Sequence, residues 1–147
     1  MRASQKVDYA LRAMLELAAM TGGRRLRRSA EVAAKAHVPE RYLESIMADL
    51  GRAGLLHSRR GPEGGHELAR PAAKVTVAAI HQAVAGALDL GGEARGVGKP
   101  PQDGVDAALR GFWRDVERAV RDAMQRVTLE DLRRRADSRR DVNDFAI

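Results

Sequence analysis

The sequence predicts a mainly α-helical chain with one small β-hairpin and one long helix towards its C-terminus. Apolar residues recur at steps of three and four in several segments, the spacing that places them on one face of a helix. Residues 59–70 read R-R-G-P-E-G-G-H-E-L-A-R and place a glycine-rich tip between two short apolar runs, as a hairpin does. From residue 105 to residue 127 the apolar steps approach the repeat of a coiled-coil seam.

The first helix is predicted over residues 5–20. Its apolar face consists of Val7, Ala10, Leu11, Met14, Leu17 and Ala18. The sequence T-G-G at 21–23 then supplies a stop signal. Four arginines surround Leu26 in the next segment, residues 24–28, which fits either a short strand or a solvated loop.

Two further helices follow with a short turn between them. Ser29 is a candidate N-cap for the first, because its hydroxyl can accept hydrogen bonds from free amides of the next turn. Pro39 suits the start of the second, where a missing amide hydrogen costs nothing, and this helix should end near Arg52 or Ala53. Two helices about three residues apart match a helix-turn-helix, whose second helix lies in the major groove of DNA.

The hairpin completes this unit as a wing. Its strands are predicted at residues 55–58 and 67–69, and Pro71 closes the segment. Glycines at 61, 64 and 65 permit positive φ and a close backbone approach to a phosphate or groove wall, and Arg59 and Arg60 supply charge. The alternative is an ordinary solvated hairpin. Residues 1–72 are therefore predicted to form a winged helix-turn-helix domain.

The remaining chain is predicted to contain a connecting segment and a dimerisation helix. Residues 73–104 should form a helix capped by Thr76 and then a glycine-rich loop. Residues 105–135 should form a long helix and a short last helix, which Thr128 opens with Asp131 in the place of a capping-box acid, and residues 136–147 a flexible tail. A helix of some 22 residues is too long to pack wholly on a small domain, so it is expected to form a homodimer. The residues expected in that seam are Val105, Leu109, Phe112, Trp113, Val116, Val120 and Val127. For Phe112 and Trp113 the alternative is the wall of a ligand cavity.

Charge and composition narrow the class of function. Lys and Arg total 26 against 20 acidic residues, a net charge of +6, of which +5 falls within residues 1–72. Such an excess favours a polyanionic partner. The absence of cysteine excludes disulfides, thiolate catalysis and cysteine-held metal. The four histidines have no metal-ligand spacing, so neither an enzyme nor a metal or cofactor is predicted. Without a membrane span or leader pattern, a cytoplasmic protein is expected.

The candidate DNA contacts lie on the second helix of the helix-turn-helix, on the wing and beside two helix starts. They are Glu40, Arg41, Tyr42, Glu44 and Ser45; Arg59, Arg60, Gly61, Gly64, Gly65 and His66; and Arg2, Lys6 and Ser29. An arginine can bind guanine and a glutamate can accept from cytosine, while basic residues near helix starts suit phosphates. A solvated polar face and a frayed basic terminus are the alternatives.

The chain resembles the Rrf-type winged helix-turn-helix regulators, the family that includes IscR, NsrR and CymR. The carriers are Y-A-L-R-A-M at 9–14, P-E-R-Y-L-E at 39–44, L-G-R-A-G-L-L at 50–56, R-G-P-E-G-G-H-E-L-A-R at 60–70 and T-L-E-D-L at 128–132. The resemblance implies a homodimer with crossed long helices that binds a pseudo-palindromic operator through two recognition helices and two wings.

The chain departs from this family at two places. His66 replaces the usual wing tyrosine, and residues 91–104 contain none of the three cysteines with which sensing members hold a cluster. Asp8 stands where the nitric-oxide sensor has an acidic cluster ligand, but one carboxylate without thiolates cannot hold that cluster. Asp8 is better interpreted as a helix-start charge.

The sequence therefore predicts a cytoplasmic, homodimeric regulator that represses transcription from a double-stranded DNA operator without an iron–sulfur cluster. One alternative is a winged-helix module that docks an acidic protein. Another is a regulator that responds to an unknown small-molecule effector, with a pocket near Ile80, Val84 and Trp113.

Overall fold

The computed structural model describes residues 4–20, 26–90 and 103–144. Its helices are α1 (Gln5–Met20), α2 (Ser29–Ala36), α3 (Glu40–Arg52), α4 (Val77–Ala85), α5 (Gly104–Arg126) and α6 (Leu129–Asp144), with strands β1 (Leu56–Arg59) and β2 (Gly65–Leu68) and a 3₁₀ turn at Ala72–Lys74. The prediction of a mainly α fold with a small hairpin and a long helix near the C-terminus is confirmed. No helix of the described ranges is long and apolar enough to cross a membrane.

Helix α1 lies at the centre of the fold. Its apolar face, which includes Met14 and Leu17, is buried, and α1 packs against α2, α3, α4 and α6. Ile80 from α4 and Leu129 from α6 are fully buried in the same core. The core therefore draws on both halves of the sequence, and α1 is the supporting helix against which both α2 and α3 pack.

The turn between α2 and α3 places the second helix across the first. His37 adopts a left-handed conformation with φ of 55° at the end of α2, and Val38 is buried beneath the turn. Pro39 immediately precedes α3. The prediction that Ser29 caps α2 is wrong: Arg28 occupies the cap position without a side-chain hydrogen bond, and Ser29 Oγ lies 2.8 Å from His66 Nε2 instead.

The wing is an antiparallel hairpin joined by a third segment. Leu56 pairs with Leu68 and Arg59 with Gly65, so β1 starts one residue later and β2 two residues earlier than predicted. Arg27 exchanges two backbone hydrogen bonds with His66, at 2.9 and 2.7 Å. This bridge at Arg27 favours the strand interpretation of the segment over a solvated loop, while residues 24 and 25 lie outside the described residues. The wing is consequently anchored to the chain just before α2.

Both predicted caps in the C-terminal half are confirmed. Thr76 Oγ1 accepts from the Ala79 amide at 3.1 Å. Thr128 and Asp131 form a reciprocal box, with the Thr128 amide donating to Asp131 Oδ2 at 2.9 Å and the Asp131 amide to Thr128 Oγ1 at 3.1 Å. The two caps adjoin, because Thr76 and Thr128 pair as an antiparallel bridge. The starts of α4 and α6 are therefore fixed together.

Helix α5 has 23 residues, close to the predicted length, and Asp103 caps it. Glu117 is its one buried residue within the described ranges and accepts a hydrogen bond from the Leu90 amide. The predicted glycine-rich loop lies mostly outside the described residues, since 91–102 are not among them. The boundary of the last helix at residue 135 is wrong, because α6 continues to Asp144.

Candidate nucleic-acid interface

Helix α3 has one buried and one exposed face. Leu43, Ile46, Met47 and Leu50 are buried in the core. All five side chains predicted as DNA contacts on this helix are exposed: Glu40, Arg41, Tyr42, Glu44 and Ser45. The apolar stripe alone fixes this orientation, because a helix with an apolar face this strongly segregated packs that face inward. The polar face is therefore available to a partner.

Arg41 and Tyr42 interact with each other, and Tyr42 also contacts α1. The Arg41 guanidinium carbon lies 4.7 Å from the centre of the Tyr42 ring, and Nη2 donates to Tyr42 Oη at 3.1 Å. The Tyr42 ring in turn lies 6.0 Å from the Tyr9 ring, tilted by 31°. Gln5 Nε2 donates to Tyr9 Oη at 2.9 Å. The sequence interpretation did not include Tyr9 in the site.

The wing presents its cationic residues at an exposed tip. Arg59, Arg60 and Gly61 are exposed, and Gly61 has a φ of 107°, which an L-residue adopts only at a cost. Gly64 and Gly65 also have a role within the wing that the sequence did not indicate. A Cβ on Gly64 would meet the Arg59 carbonyl oxygen, and one on Gly65 would lie 2.5 Å from the Arg27 carbonyl oxygen. These two glycines are required for closure of the wing itself.

His66 connects the wing to α2. Ser29 Oγ lies 2.8 Å from its Nε2 and Ser58 Oγ lies 2.7 Å from its Nδ1. Burial lowers the pKa of His66 below its ordinary value, and the nearby Glu44 carboxylate opposes that change. Burial thus favours the neutral imidazole, which can bridge the two serine hydroxyls by donating from one nitrogen and accepting at the other.

An open cleft of about 600 Å³ separates α3 from the wing. Nine of the predicted contacts line it: Glu40, Glu44, Arg59, Arg60, Gly61, Gly64, Gly65, His66 and Ser29. Arg41, Tyr42 and Ser45, on the exposed face of α3, are not among its lining residues. Arg28, which was not singled out in the sequence, also lines the cleft and donates from Nη2 to the Pro62 carbonyl oxygen. The run of four arginines around Leu26 was the signal for it. The structure thus places the helix and the wing on either side of one cleft.

The predicted contacts near the N-terminus behave differently. Arg2 lies outside the described residues. Lys6 Nζ donates to Asp49 Oδ2 at 2.6 Å, and Arg52 also pairs with Asp49. The hydrogen bond from Lys6 lowers the pKa of Asp49. Lys6 thus ties α1 to α3 through an ion pair, a role that its position in the sequence did not indicate.

The side chains of this chain do not fit an iron–sulfur cluster of the usual, thiolate-held kind. The chain contains no cysteine. Asp8, at the position of the acidic cluster ligand, accepts from Arg12 Nε at 2.8 Å in the first turn of α1, as a helix-start charge would. Within the described ranges, no three His, Cys, Asp or Glu residues come together as a metal site. An iron–sulfur cluster held by thiolates therefore has no ligands here.

The residues suggested for an effector pocket occupy two different environments. Ile80 and Val84 belong to the buried core, whereas Trp113 is 41% exposed on α5 and meets Phe112 edge to face, with ring centres 5.1 Å apart. The predicted dimer seam lies on the same helix and ends at its C-cap, Val127. Val105, Leu109 and Phe112 are exposed, and Val116, Val120 and Val127 are partly buried.

Comparison with known proteins gives a consistent result. The model of the Rrf2 family, described as an iron-dependent transcriptional regulator, matches residues 3–135. A Mycobacterium tuberculosis protein named as an HTH-type transcriptional regulator is 34% identical over 136 residues, covering 90% of this chain and 81% of that protein. IscR of T. potens superposes with a TM-score of 0.73 at 27% identity, over 92% of this chain and 88% of that one. CymR of B. subtilis, titled the global cysteine regulator, gives 0.69 at 28%, over 90% and 96%.

Proposed function

Because the chain belongs to the Rrf2 family of DNA-binding transcriptional regulators, which are not enzymes, we propose that it is a sequence-specific repressor. It binds a pseudo-palindromic operator as a homodimer and works without an iron–sulfur cluster. The observation that carries this proposal is the shared cleft, with the exposed polar face of α3 on one side and the cationic wing on the other. A helix and a wing so arranged can enter neighbouring grooves of one duplex.

The contacts divide by chemistry. On α3, Arg41 binds guanine in the major groove and Glu44 accepts from cytosine, with Glu40, Tyr42 and Ser45 beside them. Arg59 and Arg60 at the wing tip enter a narrow minor groove, whose negative potential favours guanidinium groups. Gly61, Gly64, Gly65 and His66 shape the wing. Arg2, Lys6 and Ser29 are proposed as phosphate contacts, and Arg2 lies outside the described residues. Residues 1–72 thus carry the DNA contacts, and residues 73–104 connect them to the rest.

The dimer forms along α5, within residues 105–135. Val105 is 68%, Leu109 54% and Phe112 55% exposed, and Trp113 adds a further large apolar surface. Large apolar side chains concentrated on one exposed helix mark an interaction surface. A second copy is the partner that supplies an identical apolar helix, and a two-fold arrangement also matches a palindromic operator.

Repression and release follow from what the chain contains. A dimer seated on an operator blocks access to a promoter without needing any further surface. Because the chain has no thiolates, release requires another signal, for which a small-molecule effector is the simplest candidate.

The test is a binding selection from genomic fragments with purified protein. Enrichment of one palindrome supports the proposal, whereas retention of fragments without a shared sequence favours a module that docks an acidic protein. The Arg60→Ala variant should then weaken operator binding and lower the salt slope by about one. Lys74→Ala, which removes an exposed cation from the 3₁₀ turn, is the matched control and should bind as the wild type does. Unchanged operator affinity of Arg60→Ala in a gel-shift titration would contradict the wing assignment.

A further inference from the structure

A row of four side chains from two helices ends at Arg41. Gln5 and Tyr9 lie on α1, and Tyr42 and Arg41 lie on α3. The links are the Gln5–Tyr9 hydrogen bond at 2.9 Å, the Tyr9–Tyr42 ring contact at 6.0 Å and the Tyr42–Arg41 cation–π contact at 4.7 Å. Tyr9 also packs partly buried against the core. The row therefore connects an exposed guanidinium to the supporting helix.

This arrangement restricts Arg41 in two ways. The cation–π contact holds the guanidinium near the face of the Tyr42 ring, and the Nη2 to Oη hydrogen bond fixes its direction. The Tyr42 ring is itself braced by Tyr9, whose position is set by the core. An unrestrained arginine loses much rotamer freedom when it binds. An arginine already held in one orientation loses less, so it binds at a smaller cost in conformational entropy.

The restraint leaves the binding edge of Arg41 intact. A guanidinium carries five N–H donors, and the hydrogen bond to Tyr42 Oη uses one of the two on Nη2. The Nε–H, one N–H on Nη2 and both on Nη1 remain. These are sufficient for the parallel pair of hydrogen bonds to O6 and N7 of guanine.

We propose that Tyr9 and Tyr42 are positioning residues that hold Arg41 ready to bind one guanine of the operator. This inference rests on the proposed function and adds α1 to the parts that determine sequence preference. Tyr9 acts through Tyr42 and Arg41 and needs no contact with DNA of its own. Its effect should therefore be confined to the base pair that Arg41 contacts.

The experiment measures base discrimination at that pair. Arg41→Ala first identifies the pair, as the position where replacing G·C by A·T no longer lowers affinity. Tyr9→Leu, which removes the ring and keeps an apolar side chain, should lower discrimination at this pair by about two- to tenfold. Tyr9→Phe keeps the ring contact and is the matched control, expected to retain discrimination. Binding to unrelated DNA and the melting temperature are measured for every variant.

A double-mutant cycle separates positioning from a general structural role. In the Arg41→Ala background, Tyr9→Leu should cause no further loss at this pair, since the residue through which it acts is missing. Equal losses in both backgrounds, losses spread over all base pairs, or full discrimination in Tyr9→Leu would each overturn the inference.

Two further outcomes are informative. If Tyr9→Leu does not fold, Tyr42→Phe replaces it, because loss of the Oη hydrogen bond should still lower discrimination, by about two- to threefold, through Arg41 alone. If Tyr42→Phe keeps the full discrimination of the wild type, the inference is overturned. A wild type without preference for any base pair contradicts the proposed function, and with it this inference. If the wild type is sequence-specific and Tyr9→Leu is equally specific, this inference alone is contradicted and the proposed function stands.

Discussion

Replacing Phe112 by alanine should weaken the proposed homodimer without unfolding the protomer. The Phe112 side chain is 55% exposed in the protomer and lies outside the buried core, so its removal leaves that core intact. Its free surface is available only to a partner. The expected effect is therefore on association, and it should be seen in the dissociation constant rather than in the helical signal.

The magnitude follows from the exposed fraction. Full burial of a phenylalanine contributes about 1.5–3 kcal/mol, and slightly more than half of that is still to be gained in the dimer. The contact occurs twice in a two-fold dimer, so the loss amounts to roughly 2–3 kcal/mol. The dimer dissociation constant should rise by roughly 30- to 150-fold.

Sedimentation velocity over a dilution series measures this constant directly. Val142→Ala is the matched control, because Val142 is 68% exposed but lies on α6. It should leave the dissociation constant unchanged. If Phe112→Ala and Leu109→Ala both dimerise as tightly as the wild type, the assignment of α5 to the dimer is refuted.

Two further variants test the wing. Gly65→Ala places a Cβ 2.5 Å from the Arg27 carbonyl oxygen at a φ of 152°, so it should lower both the melting temperature and operator affinity. Gly51→Ala, in open space on α3, is the control and should not lower the melting temperature. Equal melting temperatures of the two variants would refute the role of Gly65 in closure of the wing. The pKa of His66 is lowered in the folded protein, whereas in the unfolded chain it has its ordinary value of about 6.5. Below that pH the unfolded chain binds a proton more readily than the folded protein, so the free energy of unfolding should fall as pH drops through about 6.5. Denaturant unfolding at about pH 5.5 and 7.5 should show a smaller difference in the free energy of unfolding for His66→Gln than for the wild type. An identical difference would contradict the assignment of this pH dependence to His66.

Local signals were predictable from the sequence. The Thr128 and Asp131 box depends on four consecutive residues, and the α3 stripe depends on one helical period, so neither needs knowledge of the rest of the fold. Ser29 shows the limit of such signals. Its hydroxyl satisfies the local rule for a cap, but His66, 37 residues further on, lies within hydrogen-bond distance of it. A tertiary contact overrides the local preference.

The end of the chain and the role of Tyr9 were missed for similar reasons. Residues 136–144 carry alternating charges that gave no apolar stripe, yet they continue α6, the helix that packs against α1. Tyr9 was part of a recognised motif, but its contact with Tyr42 joins two helices 33 positions apart in sequence. Contacts of this kind are set by how helices cross, which the periodicity of each helix does not determine.

The most direct test of sequence-specific binding by α3 and the wing is operator affinity measured over a range of salt, with a scrambled duplex alongside. We expect the selected palindrome to bind at least about 10³-fold more tightly than the scrambled duplex. We also expect the logarithm of affinity to fall linearly with that of salt concentration, with a slope of several units. Equal affinity for the two duplexes, or an affinity that barely changes between low and moderate salt, would contradict binding of an operator by this surface.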